Sequence, residues 1–577
     1  MFGQRGRMNL RLFILAGLFA LGGIAITARV AYVQIVRTEH YRNEASNEHF
    51  GQQEIRAPRG AILDRNGYPL ATTVDAYDVW INREDWQDDE AARKAADFIG
   101  PIIGRDPSAL ISTVRQEEEG LYLAFGGLDF EKGTGLHDAD APGLRVVLTT
   151  KRSYPEGDLA STLLGFVGRD HVGLTGIERD FDRELGGIPG TIYFERDSIG
   201  NRLQLGSERV GQKPKPGGDI RLTIDRYIQR LVEGELETQL AQTGALGGTI
   251  IVMDPKTGAV LGMASQPGFK MSQLDLNKPV DQALFRNRAV TDMYEPGSVF
   301  KTLTASIALD LGLLTPESVY NDEGAEYIGP STIRNWDFST NGPVTVTQIL
   351  QRSLNTGAVW MSRQIGPADF YGYVRKFGIG QATGVGLDGE PDGLVRDEND
   401  PNWSEVDLAT NAFGQGIAAT PLQMTTAIAS FANGGKLMRP YIVESMNTPE
   451  GPRSFSPVVV RQVVSEQTAA SVADMMNQVV EGSPGHLAAI KGYHVAGKTG
   501  TTTDATLADG AVKGGNVASF IGFAPADDPK MIVLIKLDFR EDRLGGQVSA
   551  PVFAHLAPSI LAYLGVQPDG PQLVTHP

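Results

Sequence analysis

The sequence predicts an α+β protein behind a single apolar N-terminal helix, and three observations predict it. An uncharged run lies close behind the arginine-bearing start of the chain. A stretch rich in glycine, short strand patterns and turn signals follows, from about 51 to 225. Beyond 245, strand patterns stand at both ends of a long segment whose middle has helical periodicity, so one sheet must join distant sequence.

Leu12 to Ala28, "LFILAGLFALGGIAITA", is at the short end of what crosses a bilayer. Arg5, Arg7 and Arg11 precede it, which keeps the N-terminus cytoplasmic and exports the rest. Arg29 can snorkel to the far interface, so "VAYVQIV" prolongs the helix. No clear Ala-x-Ala site ends the run, so an uncleaved anchor is expected rather than a signal peptide. The expected organisation is a tail 1–11, an anchor 12–36, a polar helical stalk 37–50, a strand-rich domain 51–225, a second domain 245–566 and a tail 567–577.

In the first domain "RGAILDRNGYPLATTV" predicts a hairpin, because "DRNG" supplies turn chemistry between apolar runs. "KRSYPEGDLASTLLGFVG" and "GLTGIERDFDRELGG" read as loops entering helices. After "KPKPGGD", "IRLTIDRYIQRLVEGELETQLAQ" predicts a strand and then a long amphipathic helix. In the second domain "GTIIVMDPKTGAVLGMAS" predicts a hairpin turning at Asp254–Gly258. Helices are expected at 299–311, 344–365 and 420–432. Strands return at "YHVAGKTGTT", "NVASFIGFAPA" and "KMIVLIKLDF", and the helix "APVFAHLAPSILAYLG" closes the domain.

Composition excludes several functions. A net charge of −17 with no basic run argues against nucleic acid as a partner. No cysteine is present, so disulfides, thiolate metal sites and cysteine nucleophiles are out. The eight histidines show no ligand spacing; neither metal nor cofactor is expected.

"EPGSVFK" places Ser298 and Lys301 three apart at the start of a predicted helix, on one face. Alone this is weak, since such spacing is common. Ser353 and Asn355 follow in "SLN", and Lys498, Thr499 and Gly500 form "KTG" in a predicted strand. Each has a bland reading: an edge-strand lysine, a helix-surface serine, a turn asparagine. The three motifs in order are the set shared by penicillin-binding proteins and serine β-lactamases, and together they favour catalysis.

The residue types suit nucleophilic chemistry. A serine needs a base, and no convincing His–Asp pair is present. Lys301 serves if burial and a second cation, Lys498, lower its pKa. Ser353 would relay the proton towards the leaving amine, and Asn355 would hold Lys301 and the substrate amide. The backbone N–H groups of Ser298 and Thr501 would face the oxyanion, and the Thr499 and Thr501 hydroxyls a substrate carboxylate.

With "RAPRGAILDRNGYPLA", "GLTGIERDFDRELGG", "NRAVTDMYEPGSVFK", "FGQGIAATPLQ", "VAGKTGTT" and "VASFIGFAPADDP", nearly the whole chain resembles the class B penicillin-binding proteins. "YEPGS" is similar to the division-specific, FtsI-type branch; the elongation-specific branch more often has proline where Glu295 stands. The resemblance implies a pedestal holding a transpeptidase domain, with an antiparallel sheet flanked by helices, outside the inner membrane. It implies peptidoglycan stem peptides ending in D-Ala-D-Ala as substrates and β-lactams as inhibitors. Its partners would be a polytopic glycan polymerase and other division proteins. Two departures stand out. Val299 replaces a frequent Thr of similar shape, and "SPGHL" brings His486, expected on the surface, to a place where small residues are usual.

A β-lactamase or carboxypeptidase would use the same trio with water as acceptor, but needs neither anchor nor pedestal. An elongation-specific transpeptidase is the nearer alternative. A non-catalytic scaffold or β-lactam sensor is disfavoured by the intact trio and by the short segment before the span.

Overall fold

The computed structural model describes residues 3–39, 50–116, 120–139, 141–195, 208–274, 281–448, 451–482, 486–504 and 515–568. The chain falls into two compact units, Met1–Pro58 with Gly187–Pro216, and Arg59–Gly186 with Gly217–Pro577.

In the first unit a helix runs from Gly3 to Ala31 and continues as a π turn over Tyr32–Val36. Phe13–Val36 is, among the described residues, the one helix long and apolar enough to cross a membrane, with mean hydropathy 2.0. The guanidinium groups of Arg29 and Arg37 lie 5.7 and 5.9 Å from the Tyr32 ring centre. Most of the expected stalk lies outside the described residues. Three antiparallel strands, Phe50–Ile55, Gly190–Glu195 and Glu208–Gln212, complete this unit.

The second unit opens with the expected hairpin. Asp64 Oδ1 accepts from the N–H groups of Asn66 and Tyr68, both at 2.8 Å, which closes the turn between Ile62–Leu63 and Pro69–Asn82. Pro69–Asn82 also pairs with Leu121–Asp129 and Leu144–Ser153. The helix Asp89–Ile103 packs Ala95, Ala96 and Ile99 with Val79, Ile81 and Trp86 in one core. Arg59 and "GIERD", distant in sequence, meet in a buried ion cluster. Arg59 Nε donates to Glu178 Oε2 and Arg152 Nε to Glu178 Oε1, both at 2.6 Å. Ile220–Leu222 extends the same sheet to Val443–Thr448 and Gly451–Ser454.

The helix α1, Arg226–Thr243, precedes a five-stranded antiparallel sheet. Its strands are β1, Gly247–Met253; β2, Val260–Gln266; β3, Ala496–Asp504; β4, Gly515–Ala524; and β5, Met531–Phe539. The order is β2-β1-β5-β4-β3, so sequence ends separated by more than two hundred residues share one sheet and β3 forms an edge. Both faces are covered, which explains the apolar run 531–535 of β5. Val533, Ile535 and Leu537 pack with Val232 and Leu236 of α1, and with Phe553 and Ile560 of the last helix, Ala550–Tyr563. The alternate residues Ile532 and Leu534 face a helical layer holding Phe300, Leu303 and Ile349. That layer includes α2, Phe300–Asp310; α3, Val346–Arg352; and α4, Asn355–Ile365.

One expected element differs. The helix predicted over 344–365 is a strand, Gly342–Thr345, followed by α3 and α4. Thr345 starts α3 with a capping box closed by Gln348. Ser353 then adopts left-handed backbone, φ 56 and ψ 45, and breaks the helical path. A non-glycine residue there costs on the order of 1 kcal/mol, so the surrounding contacts must hold it.

Candidate active site

Ser298 is half-buried in the 3-10 turn Gly297–Val299 that leads into α2. From Phe300 to Ala308 every residue of α2 is buried, so this helix is surrounded by protein. Lys301 is carried inside with it and is 0% exposed.

A buried ammonium needs acceptors. Lys301 Nζ donates to Ser353 O at 2.6 Å and to Asn355 Oδ1 at 2.8 Å, and lies 3.3 Å from Ser353 Oγ. The left-handed turn at Ser353 lets its carbonyl and its hydroxyl face the same amine. Asn355 is held from the other side, its Nδ2 donating to Arg334 O at 2.9 Å. No hydrogen bond joins Lys301 to the Ser298 hydroxyl.

Lys498 reaches this group from β3. It is also 0% exposed, and its Nζ lies 3.1 Å from Ser353 Oγ, 3.2 Å from Thr499 O and 3.5 Å from Thr499 Oγ1. The Ser353 hydroxyl is thus shared by two lysines. Burial, and next the nearby Lys498 charge, push Lys301 well below the ordinary lysine value. Burial pulls Lys498 down to about 7.

Strand alternation explains how β3 serves the site. Lys498, Gly500 and Thr502 face the helical layer. A side chain on Gly500 would run into Ser519 Oγ and come within 2.9 Å of Pro296 O, so glycine lets the strand lie against the Ser298 turn. Gly297, with φ 56, is equally constrained: a Cβ there would sit 2.8 Å from Thr501 O. Thr501 Oγ1 accepts from the Gly545 N–H at 3.0 Å and Thr499 is 6% exposed. The site therefore brings together Ser298, Lys301, Ser353, Asn355, Lys498, Thr499, Gly500 and Thr501. His486 is an exposed residue of a short 3-10 turn.

In the sequence Glu295 stands out only as a branch marker. Its carboxylate accepts from the Gly416 N–H at 2.9 Å and from Thr502 Oγ1 at 3.2 Å, so it joins the "FGQG" loop to β3. Gly297 N–H donates to Gly414 O at 3.1 Å. The glycines of "FGQG" were the available signal, because glycine commonly marks close backbone approach.

Comparison with known proteins bears on the whole chain. Residues 248–557 match the penicillin binding protein transpeptidase domain and residues 54–222 the penicillin-binding protein dimerisation domain. Stage V sporulation protein D of Bacillus subtilis is 32% identical over 95% of this chain and 85% of its own length. Peptidoglycan D,D-transpeptidase FtsI of Escherichia coli is 29% identical over 97% of this chain and 92% of its own. Among solved structures, penicillin binding protein 3 of Mycobacterium tuberculosis complexed with aztreonam superposes with TM-score 0.68 at 29% identity, covering 90% of this chain and 99% of that one.

Proposed function

The chain belongs to the class B penicillin-binding proteins, and from that premise we propose that it is a membrane-anchored peptidoglycan D,D-transpeptidase acting through an acyl-serine on Ser298. The observation that carries this reading is the pair of buried lysines meeting at the Ser353 hydroxyl.

Neutral Lys301 takes the proton of Ser298 as Oγ attacks the penultimate D-Ala carbonyl of a stem peptide. The N–H groups of Ser298 and Thr501 receive the oxyanion, and the Thr499 and Thr501 hydroxyls hold the substrate carboxylate. Collapse expels the terminal D-Ala, whose amine collects a proton through Ser353, fed from Lys301 and Lys498. Asn355 keeps Lys301 and the substrate amide in register. The amine of a neighbouring stem peptide then attacks the ester, transfers the acyl group and returns the proton by the same route. A β-lactam enters as a D-Ala-D-Ala analogue and leaves Ser298 acylated.

The apolar helix and the arginines before it support a single-pass anchor with a cytoplasmic N-terminus and a periplasmic catalytic domain. The matched regions support a pedestal over 51–225 and a catalytic domain over 245–566. "YEPGS" and the relatives named FtsI favour work at the division septum, beside a polytopic glycan polymerase and other division proteins. A fluorescent fusion at mid-cell supports septal work; one spread along the side wall favours the elongation role.

The catalytic reading is tested with Ser298→Ala. Fluorescent penicillin labelling and D-Ala release from a pentapeptide donor should both vanish while the protein still folds. Labelling that survives the substitution overturns the assignment.

A further inference from the structure

Helix α4 begins at Asn355 without a cap of its own. Leu354 stands at its N-cap position and makes no side-chain bond to the first N–H groups. The cap comes from another part of the chain. Asn335 Oδ1 accepts from the Thr356 N–H at 3.3 Å and lies 3.0 Å from Thr356 Oγ1. Asn335 directly follows Arg334, whose carbonyl accepts from Asn355 Nδ2. One short segment therefore both caps the helix and orients the asparagine at its start.

That segment is locked by Asp322, whose residue is 1% exposed. Asn335 Nδ2 lies 3.0 and 3.2 Å from its two carboxylate oxygens. Asn341 donates Nδ2–H at 2.7 Å and its backbone N–H at 3.1 Å; the Gly324 N–H donates at 3.0 Å and Thr356 Oγ1 lies at 2.8 Å. Four of these five partner groups are N–H groups that can only donate, which suits an ionised carboxylate, an acceptor only, better than an amide. Burial opposes the charge, but the hydrogen bonds, led by that from Asn341, outweigh it and hold the carboxyl below its ordinary value. An anion also suits the N-terminal end of a helix.

We propose that Asp322 is a positioning residue of the transpeptidase reaction: through Asn335 and Thr356 it fixes the start of α4 and so aims the Asn355 amide at Lys301. The direction of that amide matters. With Nδ2 anchored on Arg334 O, Oδ1 faces Lys301. Once the segment loosens, the amide can turn over and point N–H groups at the Lys301 lone pair, occupying the base. The inference rests on the reading of Ser298 and Lys301 given above.

The test measures the acylation rate of the full-length protein by fluorescent penicillin from pH 5.5 to 9, with melting temperature followed in parallel. Asp322→Asn should slow acylation roughly tenfold or more and displace the acid limb of the profile. Thr356→Val keeps the branched shape and loses the hydroxyl, whereas Thr356→Ser keeps the hydroxyl and loses the methyl. The serine variant should acylate close to the wild-type rate and the valine variant slowly; a packing role predicts the reverse order. If Asp322→Asn does not fold, the Thr356 pair decides. With Ser298→Ala inactive, a wild-type rate and profile in Asp322→Asn, or a slower serine than valine variant, overturns the role of Asp322. Labelling of Ser298→Ala overturns instead the reading on which it rests.

Discussion

Lys498 and Lys301 both approach the Ser353 hydroxyl, at 3.1 and 3.3 Å, from elements far apart in the chain. Two buried amines around one hydroxyl cannot both carry a full charge cheaply. Their proximity favours a neutral amine in this cluster, as the proposed acyl-serine chemistry requires.

The first prediction concerns pH. An ordinary lysine loses its proton near 10.4, so a base of that kind would be almost wholly protonated at neutral pH. Lys301 is held well below that value by burial and by Lys498. Acylation should already be fast at pH 7, with its acid limb far below 10. Lys301→Arg, permanently charged, should lower the rate by ~10²–10⁴-fold. A limb near pH 10 in the wild type would show that the amine is not depressed.

Lys498 gives a second, thermodynamic expectation. It titrates at about 7 when folded and near the ordinary lysine value when unfolded. Between those values the unfolded chain binds more protons, so stability rises with pH across the interval. Above it both states are neutral and the burial cost is gone; below about 7 both are protonated and the cost is complete. Lys498→Met, which keeps length without charge, should therefore gain on the wild type most at pH 6–7 and least above pH 10. Urea melts across this range check the sign.

Gly500→Ala should separate the strand from the Ser298 turn. The added methyl meets Ser519 Oγ and Pro296 O, and overpacking of this kind costs about 1–3 kcal/mol. Penicillin labelling should fall by more than the melting temperature suggests, because the strain lies between Ser298 and Lys498. Unchanged labelling kinetics would show that the turn can give way without moving either group.

Glu178 offers a stability test remote from the reaction. It accepts from Arg59 and from Arg152, and its side chain is 0% exposed. Glu178→Ala leaves two buried guanidinium groups without that partner, a change that costs about 3–5 kcal/mol. Differential scanning fluorimetry should register a clear drop in melting temperature. Glu178→Gln, which keeps an acceptor but not the charge, should recover only part of it.

Much of this protein was legible from local pattern. The apolar N-terminal helix, the hairpin at Asp64–Tyr68 and the helix 226–243 follow from charge, turn chemistry and apolar spacing. So do the strands of the five-stranded sheet, because those are properties of neighbouring residues. The identities and order of Ser298, Lys301, Ser353, Asn355 and Lys498 were equally plain. Periodicity carried the helical reading straight through 344–365, because the sequence around Ser353 has no glycine or proline at the break. Only the packed fold holds Ser353 left-handed, through Lys301, 52 residues away, and Lys498, 145 away. The same holds for the cap that Asn335 lends to α4 and for the bare glycines between β3 and the Ser298 turn. Residue type and spacing are local quantities, whereas burial, pKa and the direction of a side chain depend on which distant segments close around it.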